Sequence, residues 1–537
     1  MSNLWYTGEN YIMTQFTKSI TRRKAMDTLK TEKTGINLIP DTVNTSPDYF
    51  CTWQAQLYRC CDKGPQGQRD CMTELEVFGT GDEEADRRIG RGWASHLYKE
   101  ARKDLIYLMD DCWDVPIGGL QNKHPMYGSQ ILMKDKFPSF YGEGEDFDAE
   151  RNIAAMTKLS ESIKALGWRG IGGWICVEKS PLAVEKTDEE YWSERLRWAD
   201  RAGWLYWKCD WGKDCNRYEI RKLITDLRFK YAKNLTVEQA MTMEIIPYSD
   251  SYRTYDVFTL LAIPITMQKL AADLVYDAAP GHLGYINCMD EVYTAAALGC
   301  AIDVTRHDMM GEDGTGALPD GRPDPSFPNL HRRLKTKTRE VTRTVRWHRI
   351  APAFSVNGSE TFIDTKLLKD YWDVIDQKSE IEAWWKYRDG DRIEREGPAR
   401  ICRGLSPTEI EPDSEGFVPF AVSALHPCGA ASIATLARTQ GRRFFTPICN
   451  VKQDIKSASL VGIFGYYGSL TLVGSAIRKD SRILMQDICA EDSYDVTGLC
   501  EVCDGKLVIP GELITAVGTE MNTEGETAEP GAVVKIM

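Results

Sequence analysis

The stretch IAAMTKLSESIKALGWRGIGGWICVE, residues 153–178, reads as a helix, a stop and a strand. Ile153, Met156, Leu159, Ile163 and Leu166 recur at three- and four-residue steps, which lays one apolar stripe along a helix. Gly167 ends it, and the apolar run Gly170 to Val177 that follows is a buried strand closing on Glu178. The same order returns downstream. Trp192, Leu196 and Ala199 form a stripe stopped by Gly203, and Trp204 to Cys209 leads to Asp210. Ile220, Leu223, Ile224 and Leu227 precede Asn234, and Leu235 to Val237 leads to Glu238. Each strand ends on a carboxylate.

Extended from residue 49 to about 308, this alternation predicts eight strands: Tyr49 to Trp53, Leu105 to Asp110, Gly170 to Glu178, Trp204 to Asp210, Leu235 to Glu238, a run ending near Asp256, Gly284 to Asp290 and Ala301 to Asp308. Met243 to Tyr252, before the sixth, is the least periodic part. Eight parallel strands alternating with helices make a (β/α)8 barrel, whose active sites lie at the C-terminal strand ends. Gly311 to Asn329, dense in Gly, Pro and Asp, is a long loop on that side, and a helix from Leu330 to about Arg349 closes the barrel. After Pro352 strand-like alternation recurs at Ala458 to Phe464, Ser469 to Gly474, Arg482 to Ile488, Lys506 to Ile514 and Ala532 to Ile536, the pattern of an antiparallel β-sandwich. The chain thus divides into an extension (1–48), an α/β barrel (49–350) and a β-sandwich domain (351–537).

The 537 residues are 42% hydrophobic and 27% charged, which excludes disordered and low-complexity classes. With 66 basic and 79 acidic residues the net charge is −13, so neither nucleic acid nor a phosphate-rich surface is an expected partner. Met1 to Ile20 has no continuous apolar core and no 18 uncharged apolar residues run together, so no secretion signal or membrane span is expected. The sixteen cysteines are scattered singly through apparent strands, as reduced thiols of a cytoplasmic protein would be. Cys500 and Cys503 form one CxxC without a second ligand pair, and adjacent Cys60 and Cys61 say no more, so no metal or cofactor is expected.

The strand-end carboxylates are Asp110, Asp111, Glu178, Asp210, Glu238, Asp256, Asp290 and Asp308. Taken singly, such a residue is first read as a helix N-cap. As a converging set they repel one another unless cations or substrate offset them. Lys208 and Asp210 alternate on one strand, so both face the barrel mouth, and an ammonium beside a carboxylate keeps it ionised, as a nucleophile requires. Trp204, Trp207 and Trp211 surround them, with Trp53, Trp113, Trp168 and Trp174 elsewhere. Most of these belong to the core, yet aromatic faces beside carboxylates also suit sugars.

Tyr-Trp-Lys-Cys-Asp at 206–210, Asp-Asp-Cys-Trp at 110–113, Glu238 after an apolar strand and Arg253-Thr-Tyr-Asp256 occur in the order seen in glycoside hydrolase family 27 and its clan-D relatives. The chain resembles these α-galactosidases and α-N-acetylgalactosaminidases over residues 49–308, with the second domain matching the family's C-terminal sandwich. The resemblance implies a retaining exo-acting α-glycoside hydrolase, with Asp210 as nucleophile and Asp256 as general acid/base. It further implies Lys208 on sugar hydroxyls, Asp110 and Asp111 on the 4- and 6-hydroxyls, Trp53 as an aromatic wall, Glu238 near the 2-hydroxyl and Arg253 as a sugar-binding arginine. Asp290 matches an aspartate of the family's Asn-Asp-Pro-Asp segment. Glu238 and, three residues on, Met241 are large and would fill the space of an N-acetyl group, so an α-galactoside with a free 2-hydroxyl is the expected substrate, with α-N-acetylgalactosaminide and β-L-arabinopyranoside as alternatives.

The chain departs from the family in three places. Arg253 and Asp256 are one residue closer than usual, which makes Asp250 a reserve for the acid; Asn-Cys-Met-Asp replaces Asn-Asp-Pro-Asp; and Gly-Gly-Trp at 172–174 is unfamiliar. A metallohydrolase would need clustered histidines, but of seven only His307, in Arg306-His307-Asp308, stands at a strand end beside a carboxylate. Gly170-x-Gly172-Gly173 lacks the spacing of a nucleotide-binding loop. A non-catalytic carbohydrate-binding protein would keep Trp53, Asp110 and Asp111 yet could lose Asp210 or Asp256, and both are present. Hydrolysis and transglycosylation use the same residues, and homo-oligomerisation is left open.

Overall fold

The helix read at 153–166 is Ala149–Ala165 in the computed structural model, capped by Asp148, whose side chain accepts the Arg151 N–H at 2.8 Å. Ile153, Met156, Leu159 and Ile163 are its buried stripe, and Gly167 makes the turn with φ 93°. The next helix, Asp188–Arg201, starts with a capping box between Thr187 and Glu190 and buries Trp192, Leu196 and Ala199. The structure describes residues 33–59, 67, 69–119, 123–142, 148–254, 261–305, 334–377, 386–524 and 526–537. Asp256, Asp308, Cys60, Cys61, His307 and the loop Gly311 to Asn329 lie outside them.

Eight parallel strands close into a barrel in chain order: β1 (Tyr49–Cys51), β2 (Ile106–Met109), β3 (Gly170–Ile175), β4 (Tyr206–Cys209), β5 (Thr236–Gln239), β6 (Ser251–Arg253), β7 (Tyr285–Met289) and β8 (Ala301–Val304). Closure is made by β1, where Tyr49 pairs with Ile106 on one side and Asp303 on the other. Most strands are shorter than their runs, because the ends bend into loops, and β5 is shifted one residue past its run; Trp53 already begins a helix, Trp53–Arg59. The aperiodic segment before β6 is a 3-10 turn, Met243–Tyr248.

The second domain is β-rich, with mixed rather than purely antiparallel pairing: Arg400–Arg403 runs parallel to Phe420–Leu425, Ala431–Leu436 to Leu460–Phe464, and Asn450–Lys456 to Ser469–Gly474. An eight-stranded and a five-stranded sheet share one core, Ile433, Ile463 and Val534 meeting Val451, Leu472 and Ile509. The run predicted as a strand to Ile514 ends at Pro510 and continues as the helix Gly511–Gly518. A four-stranded sheet leans on the barrel helix Ala262–Asp273, so closely that a Cβ on Gly397 would sit 2.6 Å from the Pro264 carbonyl oxygen.

Helix Leu334–Trp347 joins the two domains. Its Arg343 is fully buried and meets both Asp487 oxygens, at 3.1 and 2.7 Å, plus Asn522 and the Glu529 carbonyl. Residues 34–38 run along the second domain, with the Leu38 N–H donating to Gln486 at 2.6 Å. Among the described residues no helix is long and apolar enough to cross a membrane.

Candidate active site

Alternation along short parallel strands sends every second side chain into the barrel, and here that interior is polar. Its deep layer centres on Glu238 of β5. The Tyr49 hydroxyl from β1 donates to Oε1 at 2.9 Å; the Tyr206 hydroxyl from β4 and the Asn287 amide from β7 donate to Oε2 at 2.7 and 2.8 Å. Arg253 Nε stands 3.2 Å from Oε1. Glu238 is fully buried, and both its oxygens are engaged by protein donors.

Above it, Arg253 ties three strands together. Its Nη2 lies 3.2 Å from Asp210 Oδ2, and its Nη1 lies 3.9 Å from Asp303 Oδ2 on β8. Trp174 Nε1, from β3, donates to the same Asp210 Oδ2 at 3.2 Å. Asp210 Oδ1 makes no hydrogen bond among the described residues. Lys208 and Asp210 share a face, as read from the sequence, but Lys208 pairs with Asp110, at 2.8 Å, rather than with its strand neighbour. Cys51 adds a thiol donor to Asp110 at 3.0 Å. Arg221 braces the end of β4 from outside, donating to the Cys209 and Asp210 carbonyls at 3.2 and 2.9 Å.

Asp111 is buried beside Asp110, paired with Arg69 at 3.1 Å and accepting from the Cys112 thiol at 3.1 Å. Trp53 packs half-buried on Tyr49, Cys51, Leu108 and Tyr206. Asp290 is buried at the end of β7 with φ 64°, and its Oδ1 accepts the Thr305 N–H at 2.9 Å. Met241 (φ 72°) turns its sulfur to Arg221, 3.5 Å away. Glu178 ties down the loop after β4 by accepting the Lys213 N–H at 2.8 Å. Asp250 precedes β6 at the opposite end of the barrel from Asp210, paired with Arg228 and accepting the Val237 N–H at 3.0 Å. The helices after β2, β3, β4 and β7 begin at Asp148, Thr187, Arg217 and Glu291, so none of the described strand-end carboxylates is their N-cap.

Four carboxylates (Asp110, Asp210, Glu238, Asp303) thus face two cations (Lys208, Arg253) in a dry interior, and the ionisations divide accordingly. Burial pushes Asp210 up, but Arg253 and then Lys208 outweigh it and hold the carboxyl below its ordinary value. Burial pushes Glu238 up to about 7 against the pull of Arg253, with Asp303 adding to the rise. Asp303 is likewise raised by burial, and Asp111 is raised to about 6 by burial opposed by Arg69. Asp210 is the carboxylate of this layer kept ionised with one oxygen anchored and the other unengaged.

Trp174 and Asp303 were not singled out as site residues from the sequence. Trp174 shares the inward face of β3 with Gly172, which the alternation signalled; Asp303 lies inside an apolar run that carries no such mark. The glycines of β3 have a steric cause. A Cβ on Gly172 would meet Tyr206 Cβ at 2.7 Å, and one on Gly173 would meet Trp204 at 2.5 Å. Among the described residues no group of three or more His, Cys, Asp or Glu able to hold a metal occurs, at Cys500 and Cys503 or elsewhere.

The fold and site define a closed (β/α)8 barrel with a buried carboxylate and cation cluster at its C-terminal mouth, joined to a β-rich domain. No family model matches the chain, and no curated protein matches it. Among solved structures it is similar to a family-27 β-L-arabinopyranosidase from Geobacillus stearothermophilus, with 9% identity and a TM-score of 0.38 over 91% of this chain and 96% of that one. It is similar to an α-galactosidase from Saccharomyces cerevisiae, with 10% identity and a TM-score of 0.36 over 92% and 97%. An Anoxybacillus α-amylase shares 11% identity, with a TM-score of 0.29 over 82% and 78%. At these identities and TM-scores the likenesses carry no argument, and the chemistry rests on the site.

Proposed function

We propose that the chain is a retaining, exo-acting α-glycoside hydrolase with α-galactosides as its substrate class. The observation that carries this is the unequal treatment of the Asp210 oxygens: Oδ2 is anchored by Trp174 and Arg253 while Oδ1 has no hydrogen-bond partner among the described residues. A nucleophile needs that arrangement, with its charge held and one lone pair free. In the first step Oδ1 bonds to the anomeric carbon as the bond to the leaving oxygen breaks, and that oxygen takes a proton from the general acid, the part the resemblance assigns to Asp256. In the second, water gives its proton to the same group and adds to the anomeric carbon, restoring the Asp210 carboxylate. Glu238, with both oxygens engaged, serves as the buttress of Arg253 instead of touching the sugar's 2-hydroxyl. The resemblance assigns Asp110 and Asp111 to the 4- and 6-hydroxyls, which favours a galactoside.

The test is hydrolysis of nitrophenyl α-galactoside, α-N-acetylgalactosaminide and β-L-arabinopyranoside by wild type and Asp210→Asn. The α-galactoside is expected to turn over fastest, and Asp210→Asn to lower its kcat by about three orders of magnitude or more while sugar binding survives. Preference for either other glycoside overturns the substrate; near-normal turnover by Asp210→Asn overturns the nucleophile. Sugar binding without turnover would make the chain a carbohydrate-binding protein.

A further inference from the structure

Arg253 is 1% exposed and presents each of its three guanidinium nitrogens to a different carboxylate: Nη2 to Asp210, Nε to Glu238, Nη1 to Asp303. When Asp210 Oδ1 bonds to the anomeric carbon, its carboxylate becomes an ester and loses its charge. The buried guanidinium then loses one of its carboxylate partners, and a buried charge whose compensation is weakened is costly. Glu238 cannot respond, because Tyr49, Tyr206, Asn287 and Arg253 already take both its oxygens. Asp303 can. Its Oδ1 is held by the Thr305 hydroxyl, while its Oδ2 makes no hydrogen bond among the described residues and stands 3.9 Å from Nη1, short of a charge-assisted contact by roughly 1 Å.

We propose that Asp303 is a positioning residue that takes over the charge of Arg253 while Asp210 is esterified, and so stabilises the glycosyl-enzyme relative to the resting site. This rests on the assignment of Asp210 as nucleophile. The inference separates the two chemical steps: weakening Asp303 slows formation of the ester and speeds its breakdown, because Arg253 then favours the return of the Asp210 carboxylate.

The experiment follows labelling of the full chain by 5-fluoro-α-galactosyl fluoride, read by mass spectrometry on the Asp210 peptide, together with loss of the label after the reagent is removed. Asp303→Asn, close in shape and uncharged, is expected to label about tenfold slower and to shed the label faster than wild type, with Asp303→Glu recovering part of both rates. Thr305→Val, which removes only the hydroxyl on Oδ1, is the second variant should Asp303→Asn fail to fold; it is expected to move both rates the same way by a smaller factor. A purely structural Asp303 would lower the melting temperature and leave both rates alone, and wild-type labelling and release in the folded variants would overturn the proposal with the functional reading intact. If wild type itself takes no label on Asp210, the functional reading falls and this inference with it.

Discussion

Asp210 carries opposite demands: it must stay ionised in a dry barrel, yet keep one oxygen reactive. Arg253 meets the first, and the division of labour between its oxygens meets the second. The indole of Trp174 suits this task because its N–H is a donor in every protonation state. Trp174→Phe keeps a ring against Tyr127 and Cys176 but removes the donor from the anion. We expect kcat/KM to fall by about tenfold, the size of one charge-assisted hydrogen bond. The sign of the pH effect follows from the same contact: losing a donor to the charged form raises the Asp210 pKa, so the acidic limb of the kcat/KM profile moves to higher pH. An acidic limb that stays in place would show that the Trp174 contact does not help to hold the charge. Lys208, the strand neighbour, was the residue whose spacing announced it; the direct partners come from β3 and β6.

Strands here serve as frames for close approach. Gly172 leaves the room into which Tyr206 of β4 packs, and the Tyr206 hydroxyl in turn holds Glu238. At the other end of the barrel Asp250 fixes the start of β6 by joining Arg228 to the Val237 N–H of β5. This is an anchoring role, remote from the mouth where a general acid acts. Asp250→Ala leaves Arg228 buried and unpaired, so a loss of about 3–5 kcal/mol in unfolding free energy is expected by chemical denaturation, while activity per folded molecule persists and azide brings no rescue. Azide rescue with activated glycosides would return Asp250 to the catalytic steps.

The two domains are held by helix Leu334–Trp347, whose Arg343 meets Asp487 and whose Glu340 accepts the Glu529 N–H at 3.4 Å. Burial pushes Glu340 up to about 8 against the pull of Lys337, with Glu529 adding to the rise. A carboxyl raised on folding binds its proton more tightly in the native state, so its contribution is complete below the ordinary value near 4.5 and is lost as pH rises through about 8. Glu340→Gln fixes the neutral form. Thermal unfolding between pH 5 and pH 8.5 is expected to show the variant losing less stability than wild type, by about 3–4 kcal/mol at the alkaline end. Parallel curves for the two proteins would show that Glu340 does not titrate at this interface.

The eight strands of the barrel were legible in the chain because burial on both faces demands continuous apolar runs, and helices stopped by glycine demand a 3.6-residue stripe; both are one-dimensional patterns. For the same reason Asp110, Lys208, Asp210 and Glu238 could be picked out, since each sits at or near a strand's C-terminal end, where the period of two assigns it a face, whereas Arg253 was marked only by the resemblance. Which of them touch could not be read that way. Tyr49 meets Glu238 across 189 residues, and Lys208 reaches Asp110 instead of Asp210. Those partners depend on barrel register, on the depth of each side chain and on which glycine leaves space for which ring, none of which is a function of spacing along the chain. Asp303 shows the limit: it lies inside an apolar run like any core residue, and only closure of β8 on β1 brings it within 3.9 Å of Arg253. Chain order supplied the frame and its charged rim, and barrel closure chose the pairs, because electrostatic partnership in a dry interior is a matter of ångströms between strands.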